Sequence, residues 1–269
     1  MINDPDYNKV CEIFFPVFKK YSATDNYSVT LSGSFGKGLT DKRSDYDFRI
    51  YFDEWAESAV IKSASAEIGA LVEEWKLKGV YVDGVWPRTY ADIDGQLEMW
   101  LSGCGTLTPI DWTVWGYNVL TDVYNQIIIE DKNGKAAEWK TKLTPYPMAI
   151  KQTILSRHAA SLKYWKTDYH YKNKVERGDI VFIASITSRL VNDMVQVIYA
   201  VNEFFYPGDG MNLDFSQQFK LKPDNFESRV SAVLRIPETD NHISQYNSII
   251  QLIDETLRLA ADAGWEDKK

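Results

Sequence analysis

The sequence has few of the residues from which zinc clusters and disulfide frameworks are built. Its 269 residues include two cysteines, Cys11 and Cys104, and three histidines. These are too few for a Cys/His zinc cluster, and two cysteines do not form the spacing pattern of a disulfide-stabilised domain. The composition therefore predicts two reduced thiols in a cytoplasmic protein.

An excess of basic residues and a long uncharged apolar run are also missing. There are 30 Lys and Arg against 38 Asp and Glu, a net charge of −8. Proteins that grip nucleic acid through its phosphates are usually basic, so nucleic acid is an unfavoured partner. The most apolar stretch, residues 180–201, contains Arg189, Asn192 and Asp193. We expect a buried helix there, with no membrane span, and the polar first residues predict no signal peptide.

The apolar pattern changes along the chain and predicts an α+β fold in two domains. Residues 27–32 and 45–53 alternate like strands, residues 6–21 and 54–78 are patterned like helices, and residues 79–92 and 95–101 look extended. After Pro145 and Pro147 the pattern is almost wholly helical, with long stripes at 154–169, 183–204 and 243–260. We predict a domain at 1–145 with a small mixed sheet and helices, and an antiparallel helical-bundle domain at 146–269.

A glycine-rich turn follows the first predicted strand. Gly33 and Ser34 come directly after Ser32, and Lys37 follows within the same turn. Small residues let backbone N–H groups approach an anion, and the serine hydroxyl and the lysine charge suit phosphate oxygens. The turn is a candidate phosphate cradle.

Two carboxylates follow this turn at short range. Ten residues separate Ser34 from Asp45, and Asp47 follows Asp45 by two residues on a predicted strand. Alternation in a strand puts both on one face, where two like charges favour a shared divalent cation. Oxygen ligands with few histidines suit Mg²⁺ or Mn²⁺. A phosphate cradle beside a carboxylate pair is what metal-assisted phosphoryl or nucleotidyl transfer needs.

The pattern Gly33-Ser34-x10-Asp45-x-Asp47 resembles the signature of the polymerase-β-type nucleotidyltransferase superfamily. Length and layout resemble the antibiotic nucleotidyltransferases that modify aminoglycosides and lincosamides, and related uncharacterised bacterial proteins. The resemblance implies two Mg²⁺ ions, a nucleoside triphosphate, attack of a substrate hydroxyl on the α-phosphorus, and release of pyrophosphate. In antibiotic-modifying members of the family, a second subunit can complete the substrate cleft. The resemblance therefore makes a homodimer a candidate assembly.

The resemblance also implies a third carboxylate between hydrophobic neighbours on an adjacent strand. Glu98, within Gln96–Leu101, matches that setting and is the first choice as third metal ligand. Asp94 and Asp92 are the alternatives. Asp83 ranks lower because a glycine follows it, which is typical of a turn.

The second half offers further candidates. Lys163 and Lys166 lie in a locally basic stretch and are candidate phosphate ligands, although a solvated basic face explains them equally. Glu203, on a polar stripe of the helix at 178–204, and the adjacent Asp193 are candidate general bases. The same stripe is also what a solvent-facing side would show.

The function predicted from the sequence is transfer of a nucleoside monophosphate to a hydroxyl of a small molecule. AMP from ATP is the favoured group, and an antibiotic is a candidate acceptor. Two alternatives remain open: a nucleotidyltransferase that acts on tRNA or protein, and a non-catalytic antitoxin-like or nucleotide-sensing module.

Overall fold

The computed structural model describes residues 4–110, 113, 115–208, 212–235 and 242–266. Contacts within the chain divide it into two compact units. The first is formed by Met1–Met99 and Asn118–Pro145, and the second by Trp100–Tyr117 and Tyr146–Lys269. One of these divisions falls at the Pro145 boundary proposed from the sequence. The assignment of residues 100–117 to the second unit was not anticipated.

The first unit is a mixed α+β structure built on a four-stranded sheet. The strands are β1 (Tyr27–Leu31), β2 (Tyr46–Phe52), β3 (Val82–Thr89) and β4 (Ile127–Asp131). The helices are α1 (Tyr7–Phe18), α2 (Gly33–Lys37), α3 (Ser58–Leu77), α4 (Tyr90–Leu101, whose end enters the second unit), α5 (Val119–Asn125) and α6 (Lys135–Lys142). The strand order is β3-β2-β1-β4, with β1 antiparallel to β2 and β4, and β2 parallel to β3.

Alternation along β2 explains the two faces of the sheet. Phe48, Ile50 and Phe52 are fully buried in a hydrophobic core shared with α1 and α3. The residues between them, Arg49 and Tyr51, point to the opposite face because successive side chains of a strand alternate. The strands predicted at 27–32 and 45–53 are confirmed by β1 and β2.

The prediction of an extended segment at 95–101 is wrong, because these residues belong to helix α4. The hydroxyl of Thr89 accepts from the N–H of Asp92 and the Asp92 carboxylate accepts from the N–H of Thr89, both at 3.1 Å. This reciprocal pair is a capping box, which begins a helix. Ile93, Leu97 and Trp100 are spaced by four and three residues and are all buried, as one helix face would be.

The described part of the second unit contains further helices. They are α7 (Met148–Thr167), α8 (Tyr169–Glu176), α9 (Ile180–Val201), α10 (Asn212–Ser216), α11 (Phe226–Val233) and α12 (His242–Asp262). Helices α7 and α9 pack against each other, and α12 packs against both. The predicted apolar stripes at 154–169, 183–204 and 243–260 correspond to α7, α9 and α12.

Helix α9 is long and apolar enough, by length and composition, to cross a membrane. Its most apolar window has a mean hydropathy of 1.3, and 61% of that window is buried inside the protein. The core helix of a globular unit passes the same test. The structure confirms the buried helix expected from the sequence. The polar stripe of this helix is only partly exposed to solvent, because Gln196 and Tyr199 are buried.

Candidate active site

The Gly33-Ser34 turn lies directly against Asp47. Strand β1 ends at Leu31, and the backbone N–H of Ser32 donates to the carbonyl oxygen of Asp47 at 2.9 Å. Gly33 has a φ of +56°, and a Cβ added there would lie 1.7 Å from Oδ2 of Asp47. Only glycine has both the backbone freedom and the space for this position. The turn and the carboxylate are therefore parts of one site.

Ser34 and Lys37 extend this turn along the short helix α2. The N–H of Leu39 donates to the Ser34 carbonyl at 2.9 Å, which closes the end of the helix. The Ser34 hydroxyl is buried, with no hydrogen-bond partner among the residues the structure describes. A buried hydroxyl of this kind is satisfied when a polar ligand binds. Lys37 is half-buried at the last residue of α2.

The two sequence-predicted carboxylates lie at the start of β2, where Asp45 precedes the strand and Asp47 lies within it. The Asp47 side chain is 19% exposed. Burial raises the pKa of Asp47 to about 6. Arg49 opposes this rise, and the negative charges of Asp45, Asp83 and Asp122 add to it. The site therefore concentrates negative charge where water solvates it poorly.

A bulge in β3 brings Asp83 to this position. Asp83 and Gly84 together lie opposite the single residue Asp47 in the β2–β3 pairing, and Gly84 has a φ of +79°. A bulge inserts one residue and redirects the neighbouring side chain. Asp83 is exposed, like Glu98, but its position opposite Asp47 distinguishes it. Partial burial of its carboxyl and the charge of Asp45 raise the pKa of Asp83, with Arg49 opposing. Asp83, ranked low from its sequence context, is thus the carboxylate that the fold adds to the pair.

Glu98, Asp94 and Asp92, the residues preferred from the sequence as third carboxylate, all lie on helix α4 and not on a strand beside β2. Glu98 is exposed on α4, so the strand setting on which its choice depended is absent. Asp94 accepts a hydrogen bond from Nε1 of Trp139 at 2.8 Å and pairs with Lys135 at 3.0 Å. Asp92 caps α4. Local structure accounts for Asp92 and Asp94 without a metal.

The carboxylate cluster has the donor chemistry of a magnesium or manganese site. Within the described ranges, no three Asp, Glu, His or Cys side chains already surround a common metal position. Asp45, Asp47 and Asp83 nevertheless offer only oxygen, as Mg²⁺ and Mn²⁺ prefer. A divalent cation would also offset the burial and mutual repulsion that raise the pKa of Asp47. These residues fit the metal that the chemistry implies.

Of the two candidate lysines of the second half, Lys166 has a carboxylate partner within the second unit. Lys166 forms an ion pair with Asp254 of α12, and Lys163 is half-buried on α7. A triphosphate would have to compete with the carboxylate for Lys166. The role of both lysines as phosphate ligands stays a prediction.

The two candidate bases are also engaged. Asp193 is buried, with Oδ1 2.7 Å from Nδ1 of His158 and Oδ2 accepting from the Ser161 hydroxyl at 2.7 Å. Glu203 pairs with the buried Lys151 at 3.0 Å. These contacts tie α7 to α9 and to the residues after it, which is a structural role. The general base is not identified by either contact.

Arg49 is a buried residue of this site that sequence reasoning missed. It is 6% exposed, and its Nε donates to Oδ2 of Asp122 at 2.9 Å. A local signal existed, because Arg49 follows Asp47 by two residues and shares its strand face. Its partner lies 73 residues away, so the sequence pattern contained no sign of the pair.

Comparison with known protein families agrees with this geometry. A family model described as a nucleotidyltransferase domain matches residues 11–103, and one described as a domain of unknown function, DUF4037, matches residues 112–209. No curated protein matches the chain. The first match includes the Gly33-Ser34 turn and the carboxylates Asp45, Asp47 and Asp83. Residues 11–103 therefore match a nucleotidyltransferase domain, the domain type of the polymerase-β-type superfamily.

Proposed function

We propose that this protein transfers a nucleoside monophosphate, AMP from ATP, to a hydroxyl group of a small molecule. The observation that carries the proposal is the contact of Gly33 with Asp47, which joins the candidate phosphate-binding turn to the carboxylates. The nucleotidyltransferase family match covers the same residues. Catalysis of this kind needs both parts within one site.

The reaction is an in-line displacement. The acceptor hydroxyl oxygen bonds to the α-phosphorus and its proton passes to water. The bond from that phosphorus to the bridging oxygen breaks, and pyrophosphate leaves with the electron pair. Asp45, Asp47 and Asp83 would hold Mg²⁺ or Mn²⁺. When bound, the metal supplies charge stabilisation for the attacking and leaving oxygens. The Gly33-Ser34 turn and Lys37 bind phosphate oxygens and orient the triphosphate.

Charge supports a small acceptor over nucleic acid. The net charge of −8 disfavours a large phosphate-binding surface. An antibiotic acceptor follows from the resemblance to aminoglycoside and lincosamide nucleotidyltransferases, and we propose it as the first class to screen. A cytoplasmic location and a homodimer belong to the same proposal.

Calorimetry with a non-hydrolysable ATP analogue and Mg²⁺ tests the site. The wild type should bind the analogue in a metal-dependent manner, and Asp45→Asn/Asp47→Asn should not. Glu73→Gln, which removes an exposed charge on α3, is the matched control. Failure of the wild type to bind any nucleoside triphosphate analogue would refute the proposed function.

Labelling with α-³²P-ATP then separates the acceptor classes. A small-molecule enzyme releases pyrophosphate only when its acceptor is present, so aminoglycosides and lincosamides are tested first. Labelled tRNA or protein in a lysate would support the macromolecular alternative instead. Nucleotide binding without any labelled product would support a sensing module.

A further inference from the structure

Arg49 places a positive charge inside the first unit, next to the candidate metal ligands. Its Nη1 donates to the Phe48 carbonyl at 3.2 Å, and its guanidinium carbon lies 5.1 Å from the centre of the Trp86 ring. A buried charge is costly unless a counter-charge accompanies it. The carboxylates of Asp122 and Asp47 each lie within 3.9 Å of a guanidinium nitrogen of Arg49.

The structure shows which of the two carboxylates holds the guanidinium. Arg49 Nε and Asp122 Oδ2 are 2.9 Å apart, whereas Arg49 Nη1 and Asp47 Oδ1 are 3.9 Å apart. The distance to Asp122 is that of a charge-assisted hydrogen bond, and the distance to Asp47 is too long for a hydrogen bond. Arg49 is therefore bound to Asp122 and only near Asp47.

Asp122 is presented by a well-anchored helix. The side chain of Asn118 accepts from the N–H groups of Leu120 and Thr121, which begins α5, and Asp122 lies in its first turn. Val119, Leu120 and Val123 of this helix are buried. The carboxylate of Asp122 is consequently fixed by packing and by a helix cap, which makes it a rigid partner for Arg49.

We propose that Asp122 is a positioning residue, which neutralises and holds Arg49 so that the Asp47 carboxylate stays available to a divalent cation. The inference rests on the metal site of the proposed function. Without the Asp122 charge, Arg49 closes on Asp47, whose Oδ1 already lies 3.9 Å from Nη1 of Arg49. A guanidinium on Asp47 uses oxygen lone pairs that a cation needs and adds repulsion beside it.

Binding of Mn²⁺ alone to the full chain, measured by electron paramagnetic resonance, tests this role. Asp122→Asn should weaken Mn²⁺ binding by about tenfold or more, which corresponds to about 1.4 kcal/mol. Arg49→Met/Asp122→Asn should recover to within about threefold of the wild type, because no guanidinium is left to occupy Asp47. Glu73→Gln, the charge-matched control on α3, should bind like the wild type.

Two results would overturn the proposal: wild-type affinity in a folded Asp122→Asn variant, or a double variant that binds no better than Asp122→Asn. Failure of the wild type itself to bind Mn²⁺ would instead refute the metal site. Circular dichroism and cooperative thermal unfolding establish folding.

A second comparison covers the case in which Asp122→Asn does not fold. Removing both charges of a buried pair is tolerated better than removing one. The test then compares Arg49→Met with Arg49→Met/Asp122→Asn. If Asp122 acts through Arg49, the two affinities agree within about threefold. A tenfold difference would show that Asp122 acts independently of Arg49 and would contradict the inference.

Discussion

Replacement of Gly33 by alanine tests the contact that joins the phosphate turn to the carboxylate cluster. The added methyl carbon would lie 1.7 Å from Oδ2 and 2.5 Å from Cγ of Asp47. Carbon and oxygen atoms that are not bonded need roughly 3.3 Å. Either the turn or the Asp47 carboxylate must therefore move by about 1.6 Å, the difference between these two distances.

The cost to stability has two parts. The φ of +56° at Gly33 disfavours any side chain by about 1–2 kcal/mol. Overpacking against Asp47 adds about 1–3 kcal/mol. The cost to function is larger in proportion, because a misplacement of about 1 Å in a catalytic constellation lowers activity by about 100-fold. We expect metal binding to weaken by at least about tenfold.

Gly134→Ala is the matched control for the backbone part. Gly134 has a φ of +72° and no atom within 4 Å of an added Cβ, and it also lies in the first unit. It should lose the same 1–2 kcal/mol from its backbone conformation but keep wild-type Mn²⁺ binding. Chemical denaturation measures the first quantity and paramagnetic resonance the second.

One outcome would contradict the role given to Gly33. If Gly33→Ala and Gly134→Ala lose the same stability and both bind Mn²⁺ like the wild type, the turn does not position Asp47. The proposed joint site of turn and carboxylate would then have no support from this contact.

Three other predictions follow from the site and the second unit. Burial raises the pKa of Asp47 from 3.8 to about 6, so the metal-free folded chain keeps a proton that the unfolded chain releases. The free energy of unfolding should fall by about 2 kcal/mol between pH 4 and 6, and an unchanged slope in Asp47→Asn would contradict this cause. Asp83→Asn should weaken Mn²⁺ binding by about tenfold or more, and Glu98→Gln by less than threefold; the reverse order would restore Glu98 as the ligand. Asp193→Asn should destabilise the protein by about 1–3 kcal/mol in thermal unfolding, because His158 and Ser161 each lose a carboxylate partner. Mn²⁺ binding should stay unchanged, and weaker Mn²⁺ binding would show that the role of Asp193 is not confined to packing.

Local patterns were sufficient for the first half of the site. The alternation of β2 and the turn after β1 are both read within a few residues, so Gly33, Ser34, Asp45 and Asp47 could be predicted. The connection between β1 and β2, residues 32–45, is long enough for a parallel or an antiparallel pairing. The structure has the antiparallel pairing, in which the Gly33-Ser34 turn lies against Asp47.

The strand setting expected for Glu98 was wrong because a local signal was misread. The sequence Asp92-Ile93-Asp94-Gly95 looked like a turn between strands, although glycine is tolerated within a helix. The capping pair of Thr89 and Asp92 and the packing of the α4 face outweigh the cost of Gly95, which is roughly 1 kcal/mol. The helix places Glu98 on an exposed surface.

Residues that are neighbours along the chain were sufficient to predict the mixed α+β class of the first unit, the Gly33-Ser34 turn and the carboxylate pair. Tertiary structure alone decided the position of Asp83, through a bulge that exists only when β3 pairs with β2. It also decided the pairing of Arg49 with Asp122, across 73 residues. A buried charge pairs with the counter-charge that lies close to it in the folded protein, and the separation of two residues along the chain does not predict that distance.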